Sequence, residues 1–349
     1  MKLIKPIYIA LFAILLMVLP SAVALAQAGG FTGSFSRMGF APRGMAMGNA
    51  LVATPHEGAY AYYNPAYAAR PANHIQVDLS TSALAFDRKL HMASGQFQLP
   101  PSAGISVAIL NGRVSDIDGR TQSGYTTETF STNEYQLLTN FGIRFSETFW
   151  GGIGIKINRS DFHSEISPES SLGVDFGLFK QTGKIGIGLA VQDLFAQTNY
   201  DTSSLFGNNT GGARSNNFPT RFKFGGSYLY NRDLMVSAEY EIRVLRSERL
   251  REETSLVGGR PVTNSIREDV TTNSQFFRVG TRYALHPRAT LRAGIQANDL
   301  NHSNFSIQPT AGFSLHLPLD QFSPSVDYAF MREPSGISTM HVFSIRLNI

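Results

Sequence analysis

The sequence predicts an all-β fold, a transmembrane antiparallel β-barrel of about fourteen strands whose lumen is plugged by an N-terminal segment. Three observations predict it. Apolar and polar residues alternate with a period of two over most of the chain. The alternating segments are about 10–12 residues long, which is the length that a tilted strand needs to cross a bilayer. Only 16% of the 349 residues are charged, well below the average for a soluble protein.

The N-terminus is predicted to be a cleaved signal peptide, residues 1–26. Lys2 and Lys5 precede an apolar run, and the small residues of Ala24-Leu25-Ala26 fit a cleavage site before Gln27. The alternative interpretation is a membrane anchor that is not cleaved, but the apolar run is shorter than a membrane-spanning helix. Loss of the two lysines leaves 28 basic and 26 acidic residues, a net charge of +2. This balance gives no reason to expect a nucleic-acid partner. The signal peptide predicts that the mature protein lies outside the cytoplasm.

The alternation defines the strands from about residue 74 to the C-terminus. In one example, Ile153, Ile155 and Ile157 alternate with Gly154 and Lys156. An even strand number is required of a single-chain bacterial barrel. The predicted strands are residues 74–86, 90–99, 103–111, 132–145, 148–160, 170–180, 184–195, 218–229, 234–245, 274–285, 289–299, 304–317, 322–332 and 338–349.

Two further patterns favour a barrel over a soluble β-sandwich. Short turns alternate with long connections, of which the longest are 112–131, 161–169, 196–217 and 246–273. This asymmetry is typical of periplasmic turns and extracellular loops, and it puts both termini on the periplasmic side. Aromatic residues that mark interfacial girdles lie at predicted strand ends: Phe145, Phe149, Trp150, Tyr228, Tyr230, Tyr283, Tyr328 and Phe330. A soluble periplasmic β-protein remains a minor alternative.

Residues 27–73 do not alternate and form a separate unit ahead of the barrel, residues 74–349. The segment is rich in small residues and has no core of its own. A fourteen-stranded barrel has a lumen too wide for side chains alone to fill. We therefore expect residues 27–73 to form a hatch inside the lumen rather than to hang in the periplasm.

The hatch also carries a motif. Arg43, Gly44, Met47 and Gly48 are followed by Tyr62-Tyr63-Asn64-Pro65-Ala66. This arrangement resembles the N-terminal signature of the PorV/PorQ family of outer-membrane proteins, which is related to the FadL-type long-chain fatty-acid transporters. The resemblance implies a fourteen-stranded outer-membrane barrel with an N-terminal hatch. It marks Arg43, Gly44, Met47, Gly48, Asn64, Pro65 and Ala66 as the hatch motif.

The lumen side of the predicted strands has an excess of basic residues. Within the last five predicted strands, Asp327 is the only acidic residue on this side. The same strands contain four arginines: Arg278, Arg282, Arg292 and Arg346. One interpretation is a site for an anionic head group, since arginine offers a fixed fork of donors. The alternative is that these arginines pair with acids such as Glu239 and Glu241 and brace the wall.

The sequence gives no indication of an enzyme, a metal site or a cofactor. It lacks a Gly-x-Ser-x-Gly elbow, cysteines and a histidine pair with metal-binding spacing on one face. Two functions remain. The FadL resemblance implies passage of hydrophobic or amphipathic small molecules. The PorV resemblance implies a role in type IX secretion. The expected partners are outer-membrane lipid and either a hydrophobic ligand or secretion-system proteins.

Overall fold

The computed structural model describes residues 33–57, 60–70, 75–206, 212–257, 260–300, 305–317, 324–333 and 338–348. The predicted signal peptide lies outside the described residues, as do residues 27–32 of the predicted hatch. Among the described residues, no helix is long and apolar enough to cross a membrane. The strands are β1 (Ile75–Ala83), β2 (Arg88–Leu99), β3 (Ala103–Arg120), β4 (Thr126–Ser146), β5 (Phe149–Asp161), β6 (Ser167–Thr182), β7 (Ile185–Leu194), β8 (Gln197–Asp201), β9 (Ala213–Asn217), β10 (Thr220–Leu229), β11 (Leu234–Val257), β12 (Arg260–His286), β13 (Ala289–Asn298), β14 (Ser306–His316), β15 (Ser325–Arg332) and β16 (Thr339–Asn348).

Fourteen of these strands form a closed antiparallel ring. The order is β1 to β7 followed by β10 to β16, and each strand pairs with its neighbour in this list. The ring closes where β1 pairs with β16, for example Asp78 opposite Arg346. Strands β8 and β9 form a separate short hairpin, in which β8 pairs with the first residues of β6. The predicted fold class and number of strands are confirmed.

The two faces of the wall differ as the alternation predicts. Ile153, Ile155 and Ile157 are 40–53% exposed, whereas the intervening Lys156 is 2% exposed. The same contrast recurs around the ring, so the outer face is an apolar band and the polar residues point inward. Because an apolar band of this extent is costly to expose to water, it fits the hydrocarbon of a bilayer.

The aromatic girdle is confirmed only in part. Phe145, Tyr228 and Tyr230 are well exposed on the outer face. Trp150 is not part of the girdle. It is 6% exposed and faces inward, where the guanidinium of Arg70 lies 4.4 Å from its ring centroid. The prediction failed because Phe149 and Trp150 are adjacent, and neighbours on a strand point to opposite faces.

Two of the predicted long loops are extensions of strands. Strands β3 and β4 reach into residues 112–131, and β11 and β12 pair through nearly all of 246–273. A short hairpin, β8–β9, occupies part of 196–217. These segments project past the apolar band, so both faces carry polar residues and the period-two contrast disappears. We call this side of the barrel the loop end and the opposite side, with the short connections, the turn end.

The N-terminal segment, residues 33–70, lies within the ring. It contains the helical turns Ser34–Arg37, Pro42–Met45, Pro55–Glu57 and Pro65–Ala69. The turn Pro65–Ala69 contacts β2 to β6, and Pro42–Met45 contacts β14 to β16 on another part of the wall. Nearly all described side chains between Gly39 and Ala68 are buried.

Candidate functional site in the lumen

The wall approaches the N-terminal segment most closely at glycines. A Cβ atom on Gly177 would overlap the side chain of Asn64, and one on Gly152 would overlap Pro65. Gly188 faces the carbonyl of Val52 in the same way. These glycines account for the small residues on the inner faces of β5, β6 and β7, because a larger side chain would push the segment away from the wall.

Polar wall side chains satisfy the irregular backbone of the segment. Thr310 receives a hydrogen bond from the Gly48 amide and donates one to the Ala46 carbonyl, both 3.0 Å long. Four further contacts of this kind bind other parts of the segment: Ser80 to Phe40, Gln96 to Tyr67, Gln192 to Tyr62 and Ser227 to Ala53. Without them, buried backbone groups would lose hydrogen bonds to water with no replacement.

The predicted hatch motif supplies several of the contacts between the segment and the wall. Arg43 donates to Asp327 at 3.0 Å and to Ser325 at 2.7 Å. The Asn64 amide donates to the carbonyls of Val52 and Leu178. Three other motif residues pack closely: Gly44 against Tyr63, Met47 against Gly280 and Gly294, and Pro65 against Gly152. Gly48 has a φ of 63°, and Ala66 is fully buried.

Glu57 is the charged centre of the turn half of the lumen. Its carboxylate is buried and makes a short ion pair with Arg292, and the Arg282 Nε lies 3.6 Å away. Arg346 donates to the Glu57 carbonyl at 3.2 Å. Three of the four predicted arginines thus gather around one hatch residue. Sequence reasoning missed Glu57 because nothing in a single sequence connects residue 57 to strands more than 200 residues away.

Arg346 also has a partner on the first strand. Its Nε lies 2.6 Å from an Asp78 carboxylate oxygen, and both side chains are 1% exposed. The expectation that Asp327 alone opposes the arginines of the last strands is therefore wrong. The ring closure places Asp78 directly opposite Arg346, and Asp327 is paired with Arg43.

Arg278 belongs to a second group on β10, β11 and β12. One of its nitrogens lies 2.8 Å from Glu239 and 2.6 Å from Glu241. Arg243 pairs with Glu241 at 2.5 Å. Glu239 in addition accepts a 2.9 Å hydrogen bond from the Val52 amide, so this group is also attached to the N-terminal segment.

A third charged group surrounds Asp193, which follows Gln192 in a bulge of β7. Asp193 has a φ of 63° and binds Lys156 at 2.5 Å and Arg221 at 2.7 Å. Lys156 also lies 2.7 Å from Asp175. Buried charges in such a wall are stable only when they are paired. Within the described part of the chain, no cluster of three His, Asp or Glu side chains is arranged to hold a metal ion.

The loop half of the lumen has a different character. Apolar side chains point inward there from strands on both sides of β1, and six of them are at most 5% exposed: Leu90, Met92, Leu110, Met331, Met340 and Val342. They form one cluster with Phe35 and Phe40 of the N-terminal segment. Phe35 packs edge-to-face on Phe40, and Phe40 on Tyr62. The segment therefore covers an apolar sector of the wall, formed by β2, β3, β15 and β16, and binds charged groups on the other strands.

Comparison with solved structures gives the fold. The CymD monoaromatic hydrocarbon channel matches with a TM-score of 0.59 at 12% identity, over 89% of this chain and 96% of that one. The Pseudomonas putida toluene transporter TodX matches with a TM-score of 0.57 at 12% identity, over 89% and 99%. A Pseudomonas aeruginosa FadL homologue matches with a TM-score of 0.54 at 13% identity, over 93% and 99%.

The chain has the FadL-like barrel fold. No family model matches the sequence, and no curated protein matches it either. The PorV/PorQ resemblance therefore stays a prediction. The likeness to the three solved structures covers nearly the whole of this FadL-like barrel, so the described strands have counterparts in proteins of the same architecture.

Acid is predicted to loosen the N-terminal segment through Glu57. Burial raises the pKa of the Glu57 carboxyl, but the charges of Arg292, Arg282 and Arg43 outweigh burial and lower that pKa below its usual value of 4.5. A lowered pKa stabilises the folded state above about pH 4.5 and loses this effect as the pH falls through the folded pKa. Hydrogen exchange of residues 43–57, corrected for intrinsic rates, should therefore accelerate at acid pH.

Glu57→Gln is the matched variant for this experiment. It leaves Arg292 and Arg282 without their carboxylate, which costs about 3 kcal/mol for a buried pair. Exchange in the variant should be fast already at pH 7 and should depend little on pH. Equal exchange in the variant and the parent at pH 7 would contradict a fastening role for Glu57.

Proposed function

We propose that this barrel passes hydrophobic or amphipathic small molecules across the outer membrane, with the N-terminal segment as a plug. The observation that carries the proposal is the apolar inner wall at the loop end. Lumens that conduct water and polar solutes are lined by polar residues. An inward cluster that includes Met92, Met331 and Met340 instead suits apolar solutes of variable shape, because methionine is flexible and polarizable.

The plug determines when this wall is accessible. Phe35, Phe40 and Tyr62 cover the apolar cluster, so a solute that enters from the loop end must displace them or follow their movement. A hydrophobic solute offsets the free-energy cost of this displacement because it buries the apolar surface that the aromatic rings leave. Polar solutes do not, which makes the plug selective as well as closed.

The arginines give amphipathic solutes a second contact. Arg282 and Arg292 bind the Glu57 carboxylate in the plugged barrel. An anionic head group has the same chemistry as this carboxylate and replaces it when the plug moves. Arg278 and Arg346 keep their wall partners Glu241 and Asp78, so in this proposal they hold the strands in place.

The structural neighbours support the same function. CymD is described as a monoaromatic hydrocarbon channel and TodX as a toluene transporter. Both are small-molecule channels of the same fold. The outer membrane as the location follows from the fold of these transporters and from the predicted signal peptide.

Uptake of an apolar solute is predicted to fall when the methionine wall becomes polar. The triple variant Met92→Gln, Met331→Gln, Met340→Gln keeps side-chain length but adds amides, whose desolvation costs about 1–3 kcal/mol each when they find no partner. Toluene uptake into proteoliposomes should slow by roughly tenfold or more. The matched control replaces the same three residues by Leu and should retain uptake. Parent-like uptake by a folded Gln variant would contradict the proposal.

We infer a second candidate function, protein export, from one feature of the loop end. The β11–β12 ladder continues from Leu245 opposite Thr272 to Val257 opposite Arg260. The pairing of β10 with β11 ends at Val244, and the pairing of β13 with β12 ends at Phe277. A ribbon of about 40 Å thus projects beyond both neighbouring ladders. Strands at such an edge can pair with an extended segment of another protein.

Deletion of residues 247–270, closed by a two-residue turn, separates the two functions. If the ribbon binds a secretion partner, cargo with a C-terminal sorting domain should stay in the periplasm while toluene uptake is unchanged. Removal of the shorter β3–β4 tip, residues 121–125, serves as the matched deletion and should leave both activities intact. Normal cargo release after the ribbon deletion would exclude the export function for this surface.

A further inference from the structure

The outer face of β2, β3 and β5 changes from apolar to basic near the loop end. On β5 the outward series Ile153, Ile155, Ile157 is followed by Arg159, and on β3 Ile109 is followed two positions later by Asn111 and then by Arg113. Strand β2 presents Lys89 at the same level, directly opposite Arg113. All three basic side chains are exposed. They define the basic collar: Lys89, Arg113 and Arg159.

The collar lies at the edge of the apolar band. Arg159 is opposite Tyr135 on β4, and Tyr135 is opposite Asn111 on β3. One row closer to the turn end, the corresponding outward residues are Ile157, Leu137 and Ile109. The boundary between these rows is where hydrocarbon gives way to lipid head groups. The collar spans four strands, or about 15 Å at the usual strand spacing.

The collar has no partner within the protein. Within the described part of the chain, Lys89, Arg113 and Arg159 make no hydrogen bond or ion pair. Like charges directly opposite one another on paired strands destabilise a sheet, so the facing Lys89 and Arg113 are unfavourable by themselves. By register Asp161 lies in the same outward row as Lys89 and Arg113, two strands from Arg113, and among the described residues it makes no ion pair with the collar. An external anion at the collar would offset this repulsion.

The concentration of basic residues is local. Elsewhere near the loop end, the outward residues include Phe277 on β12 and Ile307 on β14, which are 43% and 51% exposed. At the turn end the exposed residues include the aromatic Phe145 and Tyr230. Arg144, Lys180 and Arg288 are also exposed at the turn end, but they do not face one another on paired strands as Lys89 and Arg113 do.

We propose that the basic collar binds the phosphorylated head group of a lipid in the outer leaflet. Arginine and lysine at this depth donate charge-assisted hydrogen bonds to phosphate oxygens, while the acyl chains pack on the isoleucines below. Three cations spread over four strands suit a head group with more than one phosphate. The contact would fix one side of the barrel to its lipid surroundings and is independent of solute passage through the lumen.

The test uses the full chain in detergent, titrated with bis-phosphorylated lipid A and followed by native mass spectrometry. The variant is Lys89→Gln, Arg113→Gln, Arg159→Gln. The matched control makes the same charge change at the turn end with Arg144→Gln, Lys180→Gln and Arg288→Gln, all of which are exposed. Heat-modifiable migration on a gel verifies folding, and the single variants Arg113→Gln and Arg159→Gln replace the triple variant if it fails to fold.

Binding should weaken by roughly tenfold to a hundredfold in the collar variant, or by roughly fivefold in each single variant, and remain unchanged in the turn-end control. The parent should bind the same lipid without phosphates at least tenfold more weakly. Parent-like binding by the collar variant, equal loss in the control or equal binding of the dephosphorylated lipid would overturn the proposal. Displacement of the lipid by an equal concentration of inorganic phosphate would also overturn it, because the site would then recognise free phosphate.

Discussion

The ion pair between Glu57 and the arginines of β12 and β13 is the interaction on which the lumen depends. A carboxylate this deeply buried is stable only beside cations, and Arg282 and Arg292 equally need an anion. The pair therefore couples two parts of the molecule that are each unfavourable alone: an irregular segment with no core and a wide barrel with a charged interior. The hydrogen bonds that the Gly48 and Val52 amides donate to Thr310 and Glu239 follow the same principle.

The contacts of the N-terminal segment consequently divide into two kinds. Ion pairs and hydrogen bonds hold it through Glu57 and through Glu239 with directional contacts. On the sector of the wall formed by β2, β15 and β16, the segment meets Met92, Met331 and Met340 through apolar contacts that have no strict geometry. A segment with directional attachments on one side and adaptable contacts on the other can yield to an apolar solute at the apolar sector while it stays fastened elsewhere. This division gives the proposed passage a physical basis.

Much of the fold follows from the sequence because each strand separates two environments. Ile155 and Lys156 show this contrast, and it made fourteen strands recognisable. The sequence did not predict the β11–β12 ribbon, because both of its faces contact water and its residues do not alternate between apolar and polar. The site was less predictable. Arg278 and Glu241 lie on adjacent strands and are paired, but Asp78 and Arg346 meet only through ring closure, and Glu57 reaches its partners from a segment with no regular period.

The central claim is that apolar solutes pass only when the N-terminal segment leaves the apolar wall. A Cβ atom on Gly112 would lie 3.0 Å from that of Phe35. A shift of the segment by about 0.5 Å brings the pair into the range of a disulfide, and the chain has no cysteine of its own. The double variant Phe35→Cys, Gly112→Cys can therefore lock the segment reversibly. We predict that toluene uptake into proteoliposomes stops in the oxidised protein and returns on reduction. Equal uptake in both states, with the cross-link verified by mass spectrometry, would contradict the account.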